Sequence, residues 1–82
     1  MGAGILNDKR RNLIKGVKAT LDDVESRLDV IRDDEEDSLN NIPDNLQYSD
    51  RYERLEAAVD ALNDALELID QLKDRLEYAV TC

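Results

Sequence analysis

The stretch NNIPDNLQYSDRYERLE, residues 40–56, lies between two long amphipathic segments and decides how the chain folds. Near its start a pair of asparagines precedes Pro43, which ends a helix because proline lacks a backbone N–H and restricts the residue before it. Near its other end, Ser49 and Asp50 supply the side-chain oxygens that begin a helix. A short connection between two helices of similar length predicts an antiparallel hairpin.

The helix starts are predicted from capping residues. Asn7 or Asp8 is the expected N-cap of the first helix. Asp50 is the expected N-cap of the second helix, and Glu53 three residues later resembles a capping box. The predicted elements of this single domain, residues 1–82, are helix 1 at about residues 7–40, a loop at 41–49 and helix 2 at about 50–80.

Both helices carry an apolar stripe that steps alternately three and four residues, which is a heptad pattern with apolar a and d positions. The stripe of helix 2 has a second apolar row beside it, at the g positions, which is Ala58, Ala65, Leu72 and Ala79. A helix that is apolar at a, d and g usually touches more than one neighbour. The predicted core and dimer residues are Ile14, Val17, Leu21, Val24, Leu28, Ile31, Leu55, Val59, Leu62, Leu66, Ile69, Leu72 and Leu76.

The expected fold is therefore all-α, an antiparallel two-helix hairpin that dimerises into a four-helix bundle or coiled coil. The chain has 82 residues, a length at which one copy buries little apolar surface, and its single Cys and missing His provide no disulfide or zinc staple. A second copy is the expected source of the missing core. A lone hairpin and a bundle completed by a different protein remain the alternatives.

Composition also excludes several classes of function. Without His the chain lacks the usual general base and the commonest metal ligand, so no enzyme activity, no cofactor and no metal site are expected. A net charge of −9 argues against direct nucleic-acid binding and against an anionic membrane surface. No transmembrane run or signal peptide is predicted, and a lone cysteine at Cys82 favours the cytoplasm.

Acidic side chains recur at the b and e positions of helix 2 and form a stripe roughly 36 Å long. One DNA strand carries a phosphate about every 3.4 Å, so the charge per length of the stripe approaches that of a single strand. The stripe, with the run DDEED in helix 1, is the candidate surface for a protein partner that has a basic surface; the alternative is that the acids serve solubility only. The candidate residues are Glu53, Glu56, Asp60, Asp64, Glu67, Asp70, Asp74, Asp33, Asp34, Glu35, Glu36 and Asp37.

Basic residues are concentrated at the start of helix 1. In an antiparallel hairpin this end lies near Asp70, Asp74 and Glu77, so pairing across the helices is expected to fix the register. The basic residues are Lys9, Arg10, Arg11, Lys15 and Lys18.

The loop contains more apolar side chains than a solvated connection needs. Ile42 and Tyr52 extend the two stripes and are expected to close the end of the bundle. Leu46 and Tyr48 lie on neither stripe. They are expected to pack at the same end, or, in the alternative interpretation, to anchor a partner.

The segment NIPDNLQYSDRYERLEAAVDALNDAL, residues 41–66, resembles small uncharacterised acidic coiled-coil proteins of Gram-positive bacteria and of their phages and prophages. The resemblance lies in the Pro-containing loop, Leu-Gln, the Ser-acidic helix start and the Ala/acid/Leu helix. It implies a mobile-element setting, where small acidic proteins often inhibit host defence, anti-CRISPR proteins among them, and hence action in the host cytoplasm. The expected function is an inhibitor or regulator that binds, through the acidic helical face, a larger protein with a basic surface, for example one that binds nucleic acid. The alternatives are a structural dimerisation or scaffold module and an antitoxin-like subunit.

Overall fold

The computed structural model describes residues 8–81, which form two long helices that pack against each other along their length. Helix α1 spans Asp8–Asn40, and helix α2 spans Asp50–Thr81. A short 3-10 helix, Asp44–Leu46, lies in the connection between them. The hairpin is about 66 Å long and 17 Å by 13 Å in cross-section. The predicted all-α hairpin is confirmed.

The connection between the helices is held by its own backbone. The N–H groups of Asn41 and Ile42 still donate to carbonyls of the last turn of α1, at 3.0 and 3.2 Å. Pro43 then adopts an extended conformation with φ −58° and ψ 149°, which ends the helix as its missing N–H requires. The carbonyl of Pro43 accepts from the N–H of Leu46 at 2.8 Å and starts the 3-10 helix.

Helix α2 begins with Ser49 as its N-cap. The Ser49 hydroxyl accepts the N–H of Tyr52 at 3.2 Å, and the Ser49 carbonyl accepts the N–H of Glu53 at 3.1 Å. The prediction of Asp50 as N-cap was wrong, because Asp50 is already the first helical residue. Glu53 is consequently one position too late for a capping box, which needs the acid three residues after the cap.

The start of α1 is described from Asp8 onward. Asp8 lies in the first turn of the helix, where its carboxylate is 3.5 Å from Nη1 of Arg11. The alternative N-cap Asn7 lies outside the described residues, as does Cys82.

The hairpin has almost no core of its own. Val59 is the one buried residue between positions 8 and 81, with 6% of its surface exposed. The other stripe residues of α2 are half-buried, apart from Leu72, which is exposed. Each helix of a hairpin has a single neighbour, so its apolar stripe is covered from one direction only.

Helix α1 turns its a and e rows towards α2 and leaves its d row exposed. Half of its predicted stripe is half-buried, namely Ile14, Leu21 and Leu28 at a. The other half is exposed, namely Val17, Val24 and Ile31 at d. The e row that takes their place against α2 is polar and half-buried, and comprises Lys18, Glu25 and Arg32.

Candidate interaction surfaces

One edge of the helix pair is closed by polar contacts between α1 and α2. The Nζ atom of Lys73 donates to Asp22 at 2.9 Å and to Glu25 at 3.0 Å. Nearer the loop, Nη1 of Arg32 donates to the side-chain oxygen of Asn63 at 2.7 Å. These contacts join the e side of α1 to the e side of α2, so they identify which side of the hairpin each heptad row occupies.

A further contact closes the same edge near the chain termini. Lys18 forms a hydrogen-bonded ion pair with Glu77. This agrees with the expected pairing between the basic start of α1 and the end of α2, although neither Asp70 nor Asp74 takes part in an ion pair within residues 8–81. The hydrogen bond from Lys18, with the attraction of its charge, lowers the pKa of Glu77. Hydrogen bonds to Asp22 and Glu25 raise the pKa of Lys73 above its ordinary value.

The same side of the hairpin carries the acidic face, which we define as the exposed carboxylates of α2 on the e and b rows other than the paired Glu77, together with the adjoining Asp64. None of the carboxylates so defined takes part in an ion pair among the described residues. All are exposed to solvent. The residues of the acidic face are Glu53, Glu56, Asp60, Asp64, Glu67, Asp70 and Asp74.

Helix α1 extends this surface with acids that the sequence did not single out. Asp22 and Asp29 lie on the b row of α1, on the side of the polar contacts. Both are already paired, Asp22 with Lys73 at 2.9 Å and Asp29 with Arg32 at 3.3 Å. They were missed because the sequence pattern does not say which side of helix 1 adjoins the acidic rows of helix 2.

The run DDEED does not form one surface. A helix rotates by about 100° per residue, so consecutive acids point in different directions. Asp33 and Glu36 lie on the side of the acidic face, and Glu35 is half-buried between the helices. Asp34 and Asp37 are exposed on the other side.

The opposite side of the hairpin is the apolar face, which we define as the exposed apolar side chains on the side away from the polar contacts. Helix α1 contributes its d row and Leu13, and α2 contributes Leu68 and Leu72 beside the alanines of its g row. Leu13 and Leu68 were not part of the predicted stripes because they lie one helical row beside them. The large residues of the apolar face are Leu13, Val17, Val24, Ile31, Leu68 and Leu72.

The two loop candidates are exposed. Tyr48 has 94% of its surface exposed, and Leu46 has 49%. Leu46 lines an open groove at the loop end of the hairpin, together with Ile42, Pro43 and Arg51. Packing at the end of the hairpin, the expected role of both residues, is therefore not the role of Tyr48. Tyr52 is half-buried on the adjacent turn.

Between residues 8 and 81, no group of three or more potential metal ligands is arranged to hold an ion. Neither α1 nor α2 contains an apolar stretch that could cross a bilayer. Comparisons with protein-family models, with curated proteins and with solved structures returned no match.

Proposed function

We propose that this chain is a non-enzymatic interaction protein that binds a larger protein with a basic surface, and inhibits or regulates it through the acidic face. One observation carries the proposal: seven exposed carboxylates of α2 share one side of the hairpin, and none forms an ion pair among residues 8–81. A carboxylate already paired within the hairpin would gain little from a partner. These seven are available for an external contact.

The spacing of the charges favours a basic partner that also binds nucleic acid. From Glu53 to Asp74 the helix rises roughly 32 Å, so its seven acids average about one every 5 Å. A DNA strand has one phosphate about every 3.4 Å. A groove lined with Lys and Arg for a single strand therefore matches this face in length and nearly in charge. The chain itself, being acidic, is not expected to bind nucleic acid.

The expected setting supports inhibition as the outcome of binding. Residues 41–66 resemble small acidic proteins of phages and prophages, a setting in which anti-CRISPR-type proteins block host nucleic-acid-binding machinery. An acidic face that occupies a nucleic-acid groove would inhibit by competition, without any chemistry of its own. Such a protein acts in the host cytoplasm.

A second candidate function is a structural dimerisation or scaffold module, or an antitoxin-like subunit. The exposed apolar face supports it, because six large apolar side chains in contact with water favour association. In that case the acids serve solubility, and partner binding depends on apolar packing. The two functions differ in salt dependence, since contacts between exposed charges weaken as the Debye length falls.

The test is capture of partners from a bacterial host lysate on the immobilised chain, with identification by mass spectrometry and elution by a salt gradient. The double variant Asp60→Lys/Glu67→Lys reverses two charges at the centre of the acidic face. The matched control is Asp34→Lys/Asp37→Lys, which reverses two exposed acids on the other side and changes the net charge equally. We expect Asp60→Lys/Glu67→Lys to capture at least tenfold less of the partner than the natural sequence does. The control should capture as much as the natural sequence.

The captured partner should also be displaced by moderate salt and should compete with single-stranded DNA. Retention of the partner by Asp60→Lys/Glu67→Lys, or equal loss in both variants, would overturn the proposal. Circular dichroism on each variant establishes that the helical hairpin is intact.

A further inference from the structure

We propose that the apolar face docks a second copy of this chain, which completes a four-helix bundle. The acidic faces then point outward on both sides of the bundle. The two outward acidic faces would make the protein a bivalent ligand, and this consequence rests on the proposed function. The docking of the two copies does not depend on that function.

The first argument is the distribution of apolar surface. The hairpin buries Val59 alone among its described residues, yet it exposes ten large apolar side chains, of which six lie on the apolar face. Residues such as Val17, Val24 and Ile31 recur every seven positions, which is the spacing of a seam between helices rather than of scattered surface residues. A second pair of helices on this side would give both d and g rows the neighbour that they lack.

The second argument is area. The chain exposes 6304 Å², whereas a compact monomer of 9.3 kDa exposes roughly 5,000 Å². The difference exceeds the roughly 800 Å² per partner that a stable interface removes. From Leu13 to the level of Ala58 the face runs roughly 36 Å, which at a width of 17 Å provides roughly 600 Å². This area reaches the lower end of what each partner buries in a stable interface, so the face is large enough for a second copy.

The third argument is charge, which selects the occupant. Docking two copies through their acidic faces would bring like charges together, so the apolar faces are the sides that can meet. Beside the apolar face, Asp34 lies at the loop end of α1, Arg10 lies at its terminal end, and Arg51 lies at the start of α2. A two-fold contact brings Asp34 of one copy near Arg10 of the other when the loops lie at opposite ends, and near Arg51 when they lie at the same end. The apolar sides of two copies therefore offer an attractive charge contact in either arrangement.

The experiment measures mass by sedimentation equilibrium over a range of protein concentrations. We expect twice the monomer mass of 9.3 kDa for the natural sequence. Val24→Asp, at the centre of the apolar face, should raise the dimer dissociation constant at least tenfold. Val30→Asp is the matched control, since it changes an exposed valine of the same helix at the edge of the face, and it should raise the constant less than threefold.

The outcomes separate clearly. A monomer mass for the natural sequence at all concentrations would overturn the proposal, as would equal effects of Val24→Asp and Val30→Asp. If Val24→Asp unfolds, the mass and the concentration dependence of helicity of the natural sequence decide the question without it.

The same variants keep this proposal distinct from the proposed function. Asp60→Lys/Glu67→Lys should remain a dimer while it loses the captured partner. Val24→Asp should retain each acidic face and bind the partner as a monomer, with weaker retention on a surface because bivalent attachment is lost. A dimer that captures nothing would contradict the function alone, and capture by a monomeric natural sequence would contradict the dimer alone.

Discussion

Lys73 occupies an a position in the middle of the apolar stripe of α2, where a hydrophobic residue would be usual. Its Nζ atom lies between the carboxylates of Asp22 and Glu25, at 2.9 and 3.0 Å. Because Asp22 is largely exposed, such pairs contribute little to stability. Their contribution is to specificity. A shift of one helix by a heptad would place Lys73 opposite Lys15 and Lys18, or opposite Asp29 and Arg32, instead of two carboxylates, so the pair favours a single register.

The ion pair between Lys18 and Glu77 predicts a pH dependence. Lys18 lowers the pKa of Glu77 in the folded state below its ordinary value of 4.5. A lowered folded-state pKa stabilises the fold above pH 4.5, and this stabilisation is lost as the pH falls through the lowered value. Glu77→Gln should therefore be less stable than the natural sequence at pH 7, and the difference should disappear towards pH 3.

Urea denaturation of both chains between pH 3 and 7 measures that difference. Glu67→Gln serves as the control, because Glu67 is the same residue type on the same helix and forms no ion pair among the described residues. The Glu67→Gln substitution should not lower the free energy of unfolding at pH 7. A difference for Glu77→Gln that persists unchanged at pH 3 would show that the side chain acts through packing rather than through its charge.

At the scale of the helices, the N-cap of α2 gives a prediction that distinguishes the role of Ser49 from that of the adjacent Asp50. Ser49→Ala removes the hydroxyl that accepts the N–H of Tyr52 and should lower the free energy of unfolding by about 1 kcal/mol. Ser38→Ala is the control, since Ser38 is exposed within the last turns of α1, where alanine has the higher helix propensity. Thermal or urea unfolding monitored by circular dichroism measures both. A larger loss for Asp50→Ala than for Ser49→Ala would assign the cap to Asp50 instead.

The helices themselves could be predicted because their determinants are local. Pro43 ends α1 wherever the rest of the chain lies, and the three-and-four spacing of apolar residues appears in the sequence without any partner. The direction in which each stripe faces could not be predicted. Val24 and Glu25 are neighbours in sequence, yet Glu25 meets α2 while Val24 is exposed. That choice depends on contacts between residues about 50 positions apart, such as Lys73 with Glu25.

The candidate acidic surface could likewise be predicted only in part. The acids at positions b and e of helix 2 recur every seven residues, so their common surface could be read from the sequence. The run DDEED could not be assigned to that surface, because five consecutive residues point around the whole helix. The exposure of Tyr48 could not be predicted either, because Tyr48 lies on neither heptad stripe and follows a 3-10 helix, Asp44–Leu46, that the sequence pattern did not indicate.

The whole hairpin has two unlike sides, apolar on one and acidic on the other, with polar contacts between the helices on the acidic side. Among the described residues, the large side chains of the apolar face are exposed and the seven acids of the acidic face form no ion pair. The hairpin therefore stabilises itself weakly. The two proposals each supply a partner that it lacks, a second copy on the apolar side and a basic surface on the acidic side.

The acidic face should lower the stability of the hairpin at low ionic strength. Asp60 is four residues from Glu56 and from Asp64, and Asp70 is three or four residues from Glu67 and Asp74. Each such like-charge pair on a helix destabilises it by about 0.2–0.5 kcal/mol. Asp60→Asn/Asp70→Asn relieves four of these pairs with little change in size or helix propensity, so it should stabilise the fold by about 1 kcal/mol in dilute buffer.

This gain should shrink towards zero in 0.5 M salt, where the Debye length is only about 4 Å. Urea midpoints of both chains at low and high salt measure the gain. Asp34→Asn/Asp37→Asn changes the net charge equally but relieves only two such pairs, Asp33 with Asp37 and Asp34 with Asp37, so it should gain about half as much. A loss of stability in Asp60→Asn/Asp70→Asn would mean that these acids make structural contacts within the assembly. A gain means that the acidic face weakens the fold that carries it. The acidic face would then serve a role outside the hairpin, either solubility or the binding of a basic partner. The charge-reversal capture experiment distinguishes those two roles.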